Sequence, residues 1–88
     1  MISVENTNAI ANEVVQKGLD YETVAALRQS YPKIHFTYCM DDDITSGKPV
    51  YESQHFNIYL VDGREHCLCL TRDYEHASGI VIAEIIEE

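Results

Sequence analysis

The sequence predicts an α+β domain in which two N-terminal helices pack on one face of a mainly antiparallel four-stranded sheet. Three observations predict this class. Apolar residues recur with helical spacing up to about residue 31, the period changes to two from Lys33 onward, and no helix separates the later strands. Because chains usually divide only at about 250 residues or more, the 88 residues are expected to form a single domain, 1–88.

Both predicted helices carry recognisable start and stop signals. Ser3 is a candidate N-cap for the first helix, and Gly18 is a natural C-terminal stop for it. Asp20 can cap the second helix, and Pro32 ends it, because the residue before a proline disfavours helical backbone. The predicted bounds are about 3–17 and 20–31.

The rest of the chain alternates between apolar and polar residues, which is typical of strands with one buried face. In "KIHFTYCM" and "QHFNIYLV", residues such as Phe36 and Ile58 are expected to face the core, and His35 and Asn57 the opposite side. The alternation continues in "REHCLCLT" and ends in the apolar segment "IVIAEII". The predicted strands are about 33–40, 54–61, 64–71 and 79–86.

The turn at Asp62 and Gly63 allows two registers, which differ in the face they give to Cys67 and Cys69. A two-residue loop places both cysteines in the core and expels the neighbouring leucines. A three-residue loop beginning at Val61 buries the leucines and puts the cysteines on the other face. Exposing both leucines would cost on the order of 1–2 kcal/mol or more, so we favour the three-residue loop.

Pairing the first strand directly with the second then predicts a row of ligand-type side chains across three strands, Cys39, His55 and Cys69, beside the acidic segment 41–43. One face of the sheet is aliphatic and covered by the helices. The other is a plane of Cys, His, Tyr, Asn and Thr. We therefore expect any functional site on this second face.

Thiols and imidazoles grouped on one surface are plausible ligands for zinc or an iron–sulfur species. Extended spacing disfavours a preformed mononuclear site, because Cα atoms two residues apart on a strand are about 6.5–7 Å apart. Capture of a larger metallocluster, or a site shared with a partner, is geometrically easier. The alternative is that the cysteines are half-buried strand residues without chemistry and that no cofactor binds. The candidate ligands are Cys39, His55, Cys67 and Cys69.

The chain is acidic, with 15 Asp and Glu against 6 Lys and Arg and a formal net charge of −9. Such a charge repels phosphate backbones and anionic lipids, so neither nucleic acid nor a membrane is an expected partner. The charge could instead serve solubility alone. No secretory signal is visible, the longest apolar run is too short to span a bilayer, and three cysteines suggest free thiols, so a cytoplasmic location is expected.

We favour a small non-enzymatic accessory protein that docks a protein partner through this polar face. A metal or metallocluster carrier is the first alternative. A thiol-dependent enzyme is the second, although an open sheet offers a cysteine and a histidine without a cleft. A second copy could also pair with an edge strand, 33–40 or 79–86. The predicted partner contacts are His35, Asp41, Asp42, Asp43, Asn57 and Tyr59.

The segments "HFTYCMDDD" (35–43) and "FNIYLVDGREHCLCLTRD" (56–73) resemble a family of small uncharacterised bacterial proteins associated with nitrogen-fixation gene neighbourhoods. The resemblance covers most of the chain and is least distinctive in the helical N-terminus. It implies an accessory protein working near nitrogenase or its cofactor assembly, with a Cys/His face that meets a metallocluster or its carrier. It supplies no activity and no residue roles.

Overall fold

The computed structural model describes residues 2–44, 48–63 and 69–85, with the side chains of Asp43 and Cys69 outside the described part. Within these residues two helices accompany five strands that form one mixed sheet. The α+β class is confirmed, whereas the expected four-stranded, mainly antiparallel sheet is only roughly right. The elements are α1 Val4–Lys17, α2 Tyr21–Ser30, β1 His35–Met40, β2 Tyr51–Glu52, β3 Phe56–Asp62, β4 Cys69–Thr71 and β5 Gly79–Glu84, with a 3₁₀ turn at Asp41–Asp43.

Helix α1 starts and ends where local chemistry dictates. The hydroxyl of Ser3 accepts a hydrogen bond from the backbone N–H of Asn6 at 3.0 Å, and the Asn6 side chain accepts one from the Ser3 N–H at 3.1 Å. This reciprocal pair satisfies donors that an open helix terminus would leave unpaired. Gly18 ends the helix with φ +89°, a conformation that favours glycine.

Helix α2 begins after Asp20, whose carboxylate accepts from the Thr23 N–H at 2.8 Å. This backbone hydrogen bond lowers the pKa of Asp20 below its ordinary value. The helix ends at Ser30, because Tyr31 leaves helical geometry before Pro32. The sequence therefore predicts where both helices begin.

The order of the strands differs from the expected one. The sheet runs β1-β5-β3-β2, and β4 pairs with the other half of β3. Strand β5 pairs in parallel with β1 and antiparallel with β3, so the first long strand does not lie directly beside the second. The prediction that segment 79–86 is an edge strand is wrong. Its nearly continuous apolar sequence explains its central position, since such runs are typical of strands buried on both faces.

The hairpin register is neither of the two considered from the sequence. Strand β4 pairs Leu70 with Val61 and Cys69 with Asp62, so six residues, 63–68, connect the paired ends. Leu70 packs against an apolar cluster of Tyr59, Val81 and Ala83 on the sheet face opposite the helices, not beneath them. The prediction failed because it assumed one buried face, whereas the opposite face has an apolar cluster of its own. Residues 64–68, which include Leu68 and Cys67, lie outside the described part.

The main core lies between the two helices and one face of the sheet. As expected, β1 and β3 contribute alternate residues to it, for example Phe36 and Ile58. No helix in the described part of the chain is long and apolar enough to cross a membrane. The buried residues of this core are Ile2, Ile10, Ala11, Val14, Val24, Leu27, Phe36, Phe56, Ile58, Leu60, Ala77, Ile80 and Ile82.

Candidate functional site

The sheet face opposite the helices, called here the helix-free face, carries most of the polar residues singled out from the sequence. It is formed by alternate residues of the strands, in the rows His35–Gly79–Val61, Thr37–Val81–Tyr59 and Cys39–Ala83–Asn57. The predicted alternation along β1 and β3 is confirmed. The predicted row of Cys39, His55 and Cys69 does not form, because β5 lies between β1 and β3.

This face is not the open polar plane expected from the sequence. Tyr59, Val81 and Ala83 are buried at its centre. Ile44 and Leu70 are among the half-buried residues that pack against them. The polar groups of this face therefore lie around a small apolar cluster.

Asp41 lies at the margin of this cluster, in the 3₁₀ turn that follows β1. One of its carboxylate oxygens, Oδ1, accepts two hydrogen bonds of 3.1 Å, from the Asn57 amide and from the Tyr59 hydroxyl. Asn57 and Tyr59 are two apart on β3, so their side chains leave the same face of the sheet. The arrangement fixes one carboxylate oxygen and leaves Oδ2 without a hydrogen bond to any described residue.

The Tyr59 phenol is held in the protonated state that this contact needs. Burial raises its pKa, and the hydrogen bond to Asp41 and the carboxylate charge raise it further. At neutral pH the hydroxyl therefore donates to Asp41. Tyr59 is only 5 % exposed. Its hydrogen bond therefore supports the turn Asp41–Asp43, called here the acidic turn, from the buried side.

The six predicted partner contacts differ in how exposed they are in the structure. His35 and Asp42 are exposed, and Asp41 and Asn57 are half-buried. Tyr59 is buried, and the side chain of Asp43 lies outside the described part. The accessible groups on this face are therefore the imidazole and the acidic turn, while Asn57 and Tyr59 hold that turn in place.

Of the four predicted metal ligands, the structure describes the side chains of Cys39 and His55. Cys39 is half-buried, and its register partner on β5 is Ala83. His55 is exposed just before β3, where its carbonyl accepts from the Ile85 N–H at 2.8 Å. Cys67 and the side chain of Cys69 lie outside the described part. No three described His, Cys, Asp or Glu side chains are grouped to hold an ion, and the metal assignment stays a prediction.

One polar contact was missed from the sequence. The Tyr38 hydroxyl donates to the carboxylate of Glu84, and the Tyr38 ring stacks on Tyr21 with centroids 5.7 Å apart. The hydrogen bond to Glu84, then burial and the Glu84 charge, raise the pKa of Tyr38 to about 12. No local pattern links two residues 46 positions apart, so only the parallel pairing of β1 with β5 reveals the contact.

We expect the Tyr38 hydroxyl to ionise at a higher pH than the phenol of an ordinary tyrosine. Because its pKa in the folded protein lies above the ordinary value of 10, the contact stabilises the fold fully below pH 10 and is lost as the pH rises through about 12. Phenolate absorbance at alkaline pH measures the transition. Because the pKa of Tyr59 is raised as well, Tyr38→Phe should lower the amplitude of the late absorbance change by the contribution of a single tyrosine, and Tyr21→Phe should leave that amplitude in place. An unchanged late amplitude in Tyr38→Phe would contradict the assignment.

The model of a family of unknown function, DUF6129, matches residues 10–85, which comprise the strands of the helix-free face and the acidic turn. No curated protein and no solved structure matches. Because the match spans most of the chain, the protein belongs to the DUF6129 family of unknown function.

Proposed function

We propose that the chain is a small acidic interaction protein whose helix-free face docks a basic region of a partner protein. The observation that supports this proposal is the fixed carboxylate of Asp41. One oxygen is held by Asn57 and Tyr59, and Asp42 beside it is exposed. The proposed contact surface comprises this acidic turn with His35 and Thr37, which are exposed on the same face.

Preorganisation is the physical reason for choosing this surface. A carboxylate already held by two hydrogen bonds loses little conformational freedom when a partner's Lys or Arg meets its remaining oxygen. Charge-assisted hydrogen bonds of this kind are about twice as strong as neutral ones. The net charge of −9 also steers a basic partner toward the molecule.

The biological setting of this docking is a further part of the proposal. The resemblance described above implies a partner close to nitrogenase or to its cofactor assembly. A partner that handles a metallocluster would approach the same face that carries Cys39. The setting would be supported by a partner from that machinery and contradicted by one from an unrelated process.

The docking surface can be tested by photo-cross-linking in a lysate of the source organism. A benzoylphenylalanine in place of Thr37 should give a defined cross-linked product, and one in place of Val15, which is 63 % exposed on α1, should not. The double change Asp41→Asn and Asp42→Asn should reduce the product about tenfold, the effect expected from one lost charge-assisted contact.

The matched control is the double change Glu22→Gln and Glu75→Gln, which alters the net charge equally at exposed positions elsewhere. It should leave the product within about twofold, since isolated exposed charges contribute little. Equal losses in both double variants would show that only net charge matters. That outcome, or the absence of any product at position 37, would refute docking through this face.

Metal or metallocluster carriage by Cys39, His55, Cys67 and Cys69 is the alternative proposal. It draws on ligand chemistry alone, since the side chains of Cys67 and Cys69 lie outside the described part. Elemental analysis after native purification should then find zinc or iron, and Cys69→Ser should lower the metal content. Protein that is purified without metal and takes up neither ion would end this alternative.

A thiol-dependent enzyme would instead require at least one thiol that alkylates much faster than a model peptide at neutral pH.

A further inference from the structure

Strand β1 forms one edge of the sheet. It pairs with β5 on one side, and no described strand pairs with it on the other. The His35 N–H donates to the Ser78 carbonyl at 3.2 Å, so alternate residues from His35 onward point toward β5. The backbone groups of Phe36, Tyr38 and Met40 consequently point to the outer edge. Such a row of N–H and C=O groups is a template for an added strand.

Arg28 reaches this edge from helix α2. Its Nη2 donates to the carbonyl oxygen of Phe36 at 3.0 Å, which places the guanidinium at the first outward-facing residue of β1. A guanidinium has five N–H donors, and this contact uses one. Among the described residues no carboxylate pairs with Arg28, although the chain has 15 acidic residues against 6 basic ones. The unused N–H groups can donate to an external carboxylate in a forked geometry.

A hollow of about 440 Å³ opens at the same end of β1. It combines polar groups with apolar surface, and such a mixture suits one side chain next to a charged terminus. The residues that line it include Arg28, His35, Thr37, Val61, Ser78 and Gly79.

We infer that the outer edge of β1 binds the C-terminal segment of a partner protein as an added antiparallel strand, with the terminal carboxylate on Arg28. The direction follows from the position of the arginine. An antiparallel strand that starts opposite Met40 ends opposite Phe36, where its carboxylate meets both Arg28 and the outward N–H of Phe36. A parallel strand would instead bring its N-terminal end, with no carboxylate, to the guanidinium. Main-chain hydrogen bonds to a sheet edge, combined with capture of a terminal carboxylate, form a known mode of peptide recognition.

The net charge favours a foreign C-terminus over a second copy of this chain, because two copies would each bring a charge of −9, which opposes their approach. The strand is open to an added strand, since "HFTYCM" contains none of the lysines or prolines that commonly protect an edge. This site shares His35 and Thr37 with the proposed docking surface but requires the opposite charge in its ligand. The Asp41 and Asp42 variants test the docking surface and the comparison of acid with amide tests this site, so either proposal can fail without the other.

A peptide library tests the inference on the intact protein. Immobilised hexapeptides with free C-termini, randomised at the last four positions, should be enriched by the protein, and the enriched sequences are resynthesised as acids and as C-terminal amides. We expect the amides to bind at least tenfold more weakly than the acids. Binding of the acids should shift the backbone amide resonances of Phe36, Tyr38 and Met40. Arg28→Gln should reduce the affinity for the acids to the level of the amides. The matched control Arg72→Gln, at another exposed arginine, should leave the affinity for the acids unchanged.

Several results would overturn the inference. No enrichment, equal affinity of acids and amides, or resonance shifts confined to residues away from β1 would each do so. Shifts of the β1 amides that depend on protein concentration without peptide would assign the edge to a homodimer instead. The comparison of acid with amide uses the unaltered protein, so a folding defect in Arg28→Gln does not affect it.

Discussion

Replacing Ile82 by alanine is expected to cost about 3 kcal/mol of unfolding free energy, within the range measured for buried isoleucines. Ile82 is 0 % exposed, and it lies in the central strand β5 with Tyr38 and Ile58 as its neighbours on β1 and β3. A cavity there is enclosed by strands on both sides and by the helices, so the surroundings have little freedom to collapse into it. A chain of 88 residues has a total stability of only about 4–13 kcal/mol.

Urea unfolding followed by circular dichroism measures this loss. The midpoint should fall while the slope stays the same, and the melting temperature should drop by about 15 °C. Val15→Ala removes apolar atoms from an exposed helix position and should change stability by less than about 0.5 kcal/mol. Similar losses in both variants would mean that β5 is not the centre of the sheet.

Replacing Gly79 by valine is expected to destabilise the fold by about 2 kcal/mol, because the start of β5 leaves no room for a side chain. A Cβ atom at this position would lie 3.0 Å from the carbonyl oxygen of His35 and 3.6 Å from the Cβ of Val61. The nearest atom belongs to the backbone of β1, so it can yield only if the β1–β5 pairing shifts. The better strand propensity of valine, at most about 1 kcal/mol, offsets part of this cost.

A graded series makes the test specific. Gly79→Ala should have a smaller effect than Gly79→Val in thermal unfolding, since it adds one atom instead of three. Thr37→Val introduces the same side chain at an exposed position of the adjacent strand and should be nearly neutral. If Gly79→Val were as stable as Thr37→Val, the parallel register of β1 on β5 would be wrong.

Much of the candidate site could be anticipated from the sequence. The alternation in "KIHFTYCM" and "QHFNIYLV" placed His35, Cys39, Asn57 and Tyr59 on one face, as the structure does. The acidic turn beside that face was also expected. What could not be anticipated was the hydrogen-bonded group formed by Asp41, Asn57 and Tyr59, since the carboxylate and its two donors are 16 and 18 residues apart. Buried Tyr59 therefore supports the turn, although the sequence suggested a surface contact.

The sequence alone determined the local features of this protein. Capping residues such as Ser3 and Asp20 define helix starts, and a period of two assigns alternate side chains to opposite faces. These signals act over a few residues, so they are complete within a short segment of chain.

Only the tertiary structure decided which strands are neighbours and in which register they pair. The parallel insertion of β5 between β1 and β3 separates strands that follow one another in the chain, and it brings Tyr38 to Glu84. Likewise Leu70 could be placed only once the helix-free face was known to have its own apolar cluster. The physical reason is that the most apolar strand is most stable in the centre of the sheet, where both of its faces and both of its edges are buried. Which strand takes that place depends on contacts across the whole molecule, and no local sequence pattern contains this information.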